Sequence, residues 1–209
     1  MKSEYSKNEE LANAISHGIG AVFGLFALII MVMASGENFN KLVSSVVYGG
    51  SIILLFSAST LYHSINTDSL RIKLKTLDHL AIYILIAGTY TPYLLISLAK
   101  NNGMTYLKWI WAFALLGVCF KVFLGHKYEK LSLASYIGMG WFIVVAGKEM
   151  LESVPYDGLL FLLYGGLAYT FGAIFYAWKS LKFNHAIWHL FVLAGAVLHF
   201  WSIYYYVIK

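Results

Sequence analysis

Asn13-Ala-Ile-Ser-His17-Gly-Ile-Gly-Ala-Val-Phe-Gly-Leu-Phe-Ala-Leu-Ile-Ile-Met-Val-Met-Ala34 contains no Asp, Glu, Lys or Arg. The hydrocarbon core of a bilayer takes about 20 apolar residues per helix, so this stretch reads as a membrane span with His17 near its start. Six similar runs follow, and the expected spans are 13–34, 42–64, 77–98, 106–124, 131–148, 157–178 and 184–207. Short polar links such as Gly36-Glu-Asn-Phe-Asn, Asn66-Thr-Asp-Ser and Lys100-Asn-Asn-Gly join them, and no repeat or low-complexity tract intervenes. The expected fold is an all-α integral membrane protein: a seven-transmembrane-helix bundle over 13–209, preceded by a short cytoplasmic segment, 1–12. Pro92 is expected to kink the third helix without ending it. Gly20, Gly24, Gly165, Gly166 and Gly172 suit close helix packing within the bundle.

Composition agrees. Hydrophobic residues make up 60% of the 209 and charged residues 12%, against about 25% charged in soluble domains, and the mean hydropathy is +0.70. The first residues, Met1-Lys-Ser-Glu-Tyr-Ser-Lys-Asn-Glu-Glu, are of mixed charge and lack the basic start and cleavage site of a signal peptide, so the first span is expected to remain in place. A net charge of +5 invites a nucleic-acid reading. The basic residues are instead scattered through the links, as in membrane proteins, so membrane lipids and not nucleic acid are the expected partners. Cys119, the single cysteine, excludes an intramolecular disulfide.

Lys and Arg accumulate on the cytoplasmic side of membrane proteins. On the side of the N-terminus stand ten: Lys2, Lys7, Arg71, Lys73, Lys75, Lys121, Lys127, Lys130, Lys179 and Lys182. On the other stand five: Lys41, Lys100, Lys108, Lys148 and Lys209. The N-terminus is therefore expected in the cytoplasm and the C-terminus outside.

That topology gathers four separate fragments at one end: Glu10-Leu-Ala-Asn13-Ala-Ile-Ser-His17, Ser59-Thr-Leu-Tyr-His63, Leu77-Asp78-His79 and His185-Ala-Ile-Trp-His189. Ionisable groups inside a membrane are costly, and a convergence of them marks a functional site. Residues four apart share a helix face, so His185 and His189 can hold one ion from successive turns, with His63 as a third nitrogen ligand. Three histidines with a fourth position left for water is the pattern of a catalytic zinc site. Ser59 lies one turn from His63. Asp78 can orient the water or take its proton, or can simply be an interfacial acid paired with Lys75. Glu10, Asn13 and His17 share a face and are placed to support the ligands from behind, with direct ligation by His17 as the less favoured alternative.

These motifs together resemble the hemolysin III proteins of bacteria, a branch of the progestin and adipoQ receptor superfamily, over essentially the whole chain. The resemblance implies a seven-helix bundle in the bacterial plasma membrane with a cytoplasmic N-terminus, and zinc held by His63, His185 and His189. It places Asp78 near the water on the metal and Ser59 beside the site, and it implies lipid-amide hydrolysis of the ceramidase kind. The receptors' longer N-terminal region has no counterpart here, so no extracellular hormone ligand is expected.

Of the other histidines, His199 lies fourteen residues beyond His185, about 21 Å along a helix, and is expected to be a hydrogen-bonded bundle residue. His79 is expected to pack or to support a ligand, and His126 to sit in a basic link. Trp201, Tyr204, Tyr205 and Tyr206 fit an aromatic belt at the outer interface. Three functions remain open: a zinc hydrolase acting on a lipid from within the bilayer, a non-catalytic lipid sensor or adaptor stapled by zinc, and a membrane-lytic hemolysin. The last is disfavoured because no amphipathic, convertible segment is present.

Overall fold

A computed structural model of the chain describes residues 5–124 and 128–209. Lys2, His126 and Lys127 lie outside the described residues. The first helix opens on a capping box: the Ser6 hydroxyl accepts from the Glu9 amide at 3.4 Å, and the Glu9 carboxylate accepts from the Ser6 amide at 2.9 Å. Two otherwise orphaned donors are thereby satisfied, and the helix starts at Lys7, ahead of the expected boundary at 13.

Seven helices long and apolar enough to cross a membrane are present: α1 (Lys7–Ser35), α2 (Phe39–Ser64), α3 (Asp68–Ser97), α4 (Gly103–Phe123), α5 (Glu129–Ser153), α6 (Tyr156–Ala177) and α7 (Asn184–Ile208). The architecture is consistent with seven spans. The main departure is α3, which begins nine residues before the expected 77. Its added turns carry Arg71, Lys73 and Lys75, which hydropathy alone assigns to a link. Pro92 does not end α3. The chain continues through it into a π-helical turn, Tyr93–Ser97, because the missing proline N–H and the ring's bulk favour a wider local winding. In α5 the winding tightens instead, to a 3₁₀ stretch at Trp141–Ala146.

The pattern on α1 is inverted relative to a soluble helix. Its exposed residues include Leu11, Ile15, Ile19, Val22, Phe26, Ile29 and Met33, recurring every three or four positions. Its buried residues include Glu10, Asn13, Ser16, His17, Gly20, Gly24 and Ala27. A helix that presents aliphatic side chains outward and small or polar ones inward is built for a hydrocarbon solvent, where close van der Waals packing and interhelical hydrogen bonds hold the helices together. Gly24 illustrates the packing, since a Cβ there would run into the side chains of Ile52 and Ile53 on α2.

Successive helices α1 to α4 pack side by side, α6 packs on α7, and α7 closes back onto α1. α5 touches α3, α4 and α6. Alternation of direction puts the starts of α1, α3 and α7 and the end of α2 together. One tie fixes this meeting: Glu9 Oε1 accepts the backbone N–H of Phe183 at 3.0 Å. Phe183 is the one non-glycine residue with positive φ (59°) among those described. A left-handed conformation costs a bulky residue about 1–2 kcal/mol, and here it turns the chain sharply into α7, one residue ahead of Asn184. At the opposite end the Lys41 ammonium donates to the carbonyl of Ile208, satisfying a free acceptor at the end of α7.

Candidate metal centre

His63 ends α2, and His185 and His189 occupy the first turns of α7. Their ligand atoms all lie within 4.8 Å of one another, and all three residues are buried, so one ion can be shared among them. The hydrogen bonds behind the rings decide which nitrogen each presents. His63 Nδ1 is 2.6 Å from Glu10 Oε2, and a carboxylate only accepts, so Nδ1 carries the hydrogen and Nε2 keeps its lone pair. His189 Nδ1 lies 3.2 Å from the Asn13 carbonyl and 3.1 Å from Ser16 Oγ. The Ser16 hydroxyl spends its own hydrogen on that carbonyl, at 2.9 Å. Two acceptors therefore face His189 Nδ1, and its Nε2 is the free donor of electrons. Fixing the tautomer from behind is how proteins prepare a histidine for a metal.

The opposite sides of the rings are unsatisfied. His63 Nε2 and both nitrogens of His185 are buried without a hydrogen-bond partner. Orphaned buried nitrogens are costly and call for an explanation, and a shared divalent ion supplies it. The donor set fits.

Glu10 is held in turn. Its second oxygen pairs with the Arg71 guanidinium, whose Nη1 donates to the Ile65 carbonyl at 3.2 Å and whose Cζ lies 4.9 Å from the Tyr62 ring centroid. One acid on α1 thus links the end of α2 to the start of α3. Arg71 is the chain's single arginine among fifteen basic residues. Hydropathy alone makes it a link charge. Its uniqueness was the available signal, because arginine and not lysine suits buried multidentate pairing.

Asp78 is buried, and His63, Ser59, Lys121 and Lys75 are close enough to act on its charge. Lys75 is thus one neighbour among several, and Lys121, a link charge by the charge count, is a buried residue of α4. Ser59 is fully buried, with Asp78 as its neighbouring acceptor. The His17 ring stacks on His189 with centroids 3.4 Å apart and planes 15° from parallel. His17 is outside the trio that can share a metal, and its nitrogens have no hydrogen-bond partner. It supports His189 by contact, whereas the Asn13 carbonyl and Ser16 do so by hydrogen bonds, and Glu10 supports His63. Tyr5, which the sequence did not single out, lies over the site from the N-terminal side, 5.1 Å from His185 and 6.2 Å from His63 between ring centroids. His79 is spent elsewhere: its Nδ1 donates to the Lys75 carbonyl at 2.6 Å. His199 is a bundle residue, with Nε2 donating to the Leu162 carbonyl at 3.1 Å.

A cavity of about 440 Å³ runs from this centre through the bundle. His17, Asp78, His185 and His189 line one end, Ile86, Ile143 and Val192 the middle, and Met150 and Leu159 the far end. Its walls are overwhelmingly apolar. A polar, metal-competent end joined to a long greasy channel suits a molecule with one reactive head and an extended hydrocarbon tail.

Known proteins resemble the chain over most of its length. The chain matches the family described as Haemolysin-III related over residues 5–200. It is 47% identical to Hemolysin-3 of Bacillus cereus over 202 residues, covering 96% of this chain and 92% of that one. Identity to the Hemolysin-3 homolog of Bacillus subtilis (strain 168) is 41% over 207 residues, 98% and 97% of the two chains. The human Monocyte to macrophage differentiation factor is 30% identical over 212 aligned positions, with 96% of this chain and 85% of that one covered. With bacterial relatives alike over almost their whole length and a buried three-histidine cluster between its helices, the chain is a multi-pass membrane protein that belongs to the haemolysin-III family.

Proposed function

We propose that the protein is a zinc-dependent hydrolase of lipid amides, acting at the cytoplasmic leaflet of the bacterial plasma membrane. The observation that carries this reading is the pair of histidines, His63 and His189, whose Nδ1 hydrogens are committed to Glu10 and the Asn13 carbonyl so that both Nε2 lone pairs are free, beside an apolar cavity whose head His185 and His189 line. His63, His185 and His189 would hold the zinc, leaving a coordination position open. Bound there, zinc polarises the scissile carbonyl and makes water acidic enough to be a nucleophile near neutral pH.

The chain's own residues do the rest. The apolar channel takes the acyl chain and keeps bulk water from the reacting carbonyl. Asp78, at the channel's head, accepts a proton from the attacking water and returns it to the leaving amine nitrogen, so that amide and water become carboxylic acid and amine. Ser59, buried beside Asp78, donates to the oxygen on which charge develops. The excess of Lys and Arg on the N-terminal side sets the leaflet.

A second reading is a non-catalytic sensor in which zinc only staples α2 to α7. It needs the same three ligands but gives no role to a buried acid beside them. The purified protein assayed against ceramides and other acyl amides, with zinc content measured in parallel, decides between the two. Turnover that disappears in His185→Ala together with the zinc supports the hydrolase. Full zinc occupancy with no turnover of any lipid tested supports the sensor.

A further inference from the structure

Two polar rings sit far from the metal centre, deep in the apolar channel. His199 on α7 and Tyr169 on α6 both line it, with ring centroids 5.5 Å apart. His199 lies ten residues beyond His189, about 15 Å along the helix, which is near the middle of a hydrocarbon core about 30 Å thick.

The two rings are housed reciprocally. His199 fills the notch left by Gly165 on α6, where any Cβ would collide with the imidazole, and Tyr169 fills the notch left by Gly195 on α7 in the same way. Each helix has given up a side chain to seat a polar ring of the other. Aliphatic residues would fill that space without polar atoms to satisfy.

His199 spends its Nε2 hydrogen on the Leu162 carbonyl. A carbonyl cannot donate, so Nδ1 must be a bare acceptor, and it is buried without a partner. The Tyr169 hydroxyl is likewise buried without a partner. Neighbouring hydroxyls are committed: that of Tyr48 to the Ala196 carbonyl, and that of Tyr93 to Ser202. One acceptor and one hydroxyl, both orphaned in a greasy channel, carry a desolvation cost that only a ligand or water of matching polarity offsets.

We propose that His199 and Tyr169 form a subsite for a hydroxyl group partway along the hydrocarbon chain of the lipid. A hydroxyl is the group that meets both needs, donating to His199 Nδ1 and accepting from the Tyr169 O–H. A ketone would serve only the tyrosine, and a plain methylene neither. The subsite therefore selects lipids with a mid-chain hydroxyl, and this rests on the reading of the channel as an acyl-chain site.

The test measures binding of three probes to the purified full chain in detergent, by displacement of a fluorescent fatty acid. They are octadecanoate, octadecanoate hydroxylated at mid-chain, and octadecanoate hydroxylated beside the carboxylate. The wild type is expected to hold the mid-chain hydroxy acid about five- to thirtyfold more tightly than the plain acid, the value of two modest net hydrogen bonds. The isomer hydroxylated beside the carboxylate should show no such gain. His199→Phe and Tyr169→Phe should each bring the ratio towards one while retaining plain octadecanoate. Tyr169→Phe deletes a single oxygen and so preserves the test if His199→Phe fails to fold. Equal affinities of the wild type for plain and mid-chain hydroxy acids would overturn the subsite and leave the channel reading intact. Equal gains from both hydroxylated isomers would also overturn it. Failure of every probe to bind would overturn subsite and channel reading together.

Discussion

The bundle has a packed wall and a loose wall. The most apolar stretches of α2, α3 and α7 are 56%, 61% and 50% buried within the protein, whereas those of α4 and α5 are each 17% buried. All three histidines of the centre and Asp78 stand on the packed wall. The loose wall closes the channel from the other side with residues such as Ile143, Val144 and Met150 and includes the irregular winding at Trp141–Ala146. The contrast separates two demands. A metal site needs ligands held within a fraction of an ångström by rigid neighbours, while a channel for a lipid tail needs a partner that yields.

If the packed wall owes its order to the buried ion pair, Glu10→Ala should give the largest effect. It leaves Arg71 and His63 without their shared acceptor, and breaking a buried pair from one side costs about 3–5 kcal/mol. Denaturation in detergent measures it. A cost under about 1 kcal/mol would mean that the pair behaves like an exposed one. Metal removal should come next. An ion bound only by the folded state at 100 to 1,000 times its Kd contributes about 2.7–4.1 kcal/mol. Chelation should therefore lower the melting temperature, and amide exchange should speed up at the end of α2 and the start of α7 but not in α4 or α5. Uniform loosening across all seven helices would remove the distinction between the walls.

A pair of glycines sharpens the comparison further. A Cβ on Gly49 of α2 would meet the backbone Cα of Leu28 on α1, which cannot step aside, while a Cβ on Gly140 of α5 would meet nothing within 4 Å. Gly49→Ala should cost about 1–3 kcal/mol, as overpacking does, and Gly140→Ala should stay within about 0.5 kcal/mol. Equal costs would show that both walls are packed alike.

The sequence carried the seven helices and the convergence of their polar ends, because a run of apolar residues long enough for a bilayer has few alternative explanations. His63, His185 and His189 were legible for a related reason: the i,i+4 pair and the alternation of helix direction leave little freedom. The support of that trio was less so. Arg71 stands in turns too polar to register as membrane helix, so hydropathy starts α3 late and leaves the guanidinium in a link. The bond from His189 runs to the backbone carbonyl of Asn13, a group every residue possesses, and no pattern of side chains announces it. Tyr5 and Lys121 approach the site through helix packing that brings distant positions together, which periodicity within one segment does not encode. A smaller loss than that at Gly49 is expected at the early start of α1. Ser6→Ala should cost about 0.5–1 kcal/mol by removing the cap without loss of zinc, since the cap does not touch the ligands. Zinc lost from that variant would place the first turn of α1 inside the centre.

The central claim, that the buried trio serves catalysis and not only cohesion, turns on Asp78. Lipid-amide hydrolysis should be measured for wild type and Asp78→Asn in parallel, each with its zinc content determined. Asp78→Asn should retain one zinc per chain and the wild-type melting temperature while losing at least about 100-fold in rate, the lower range for a positioned general acid or base. Wild-type turnover by the zinc-loaded asparagine variant would contradict the account.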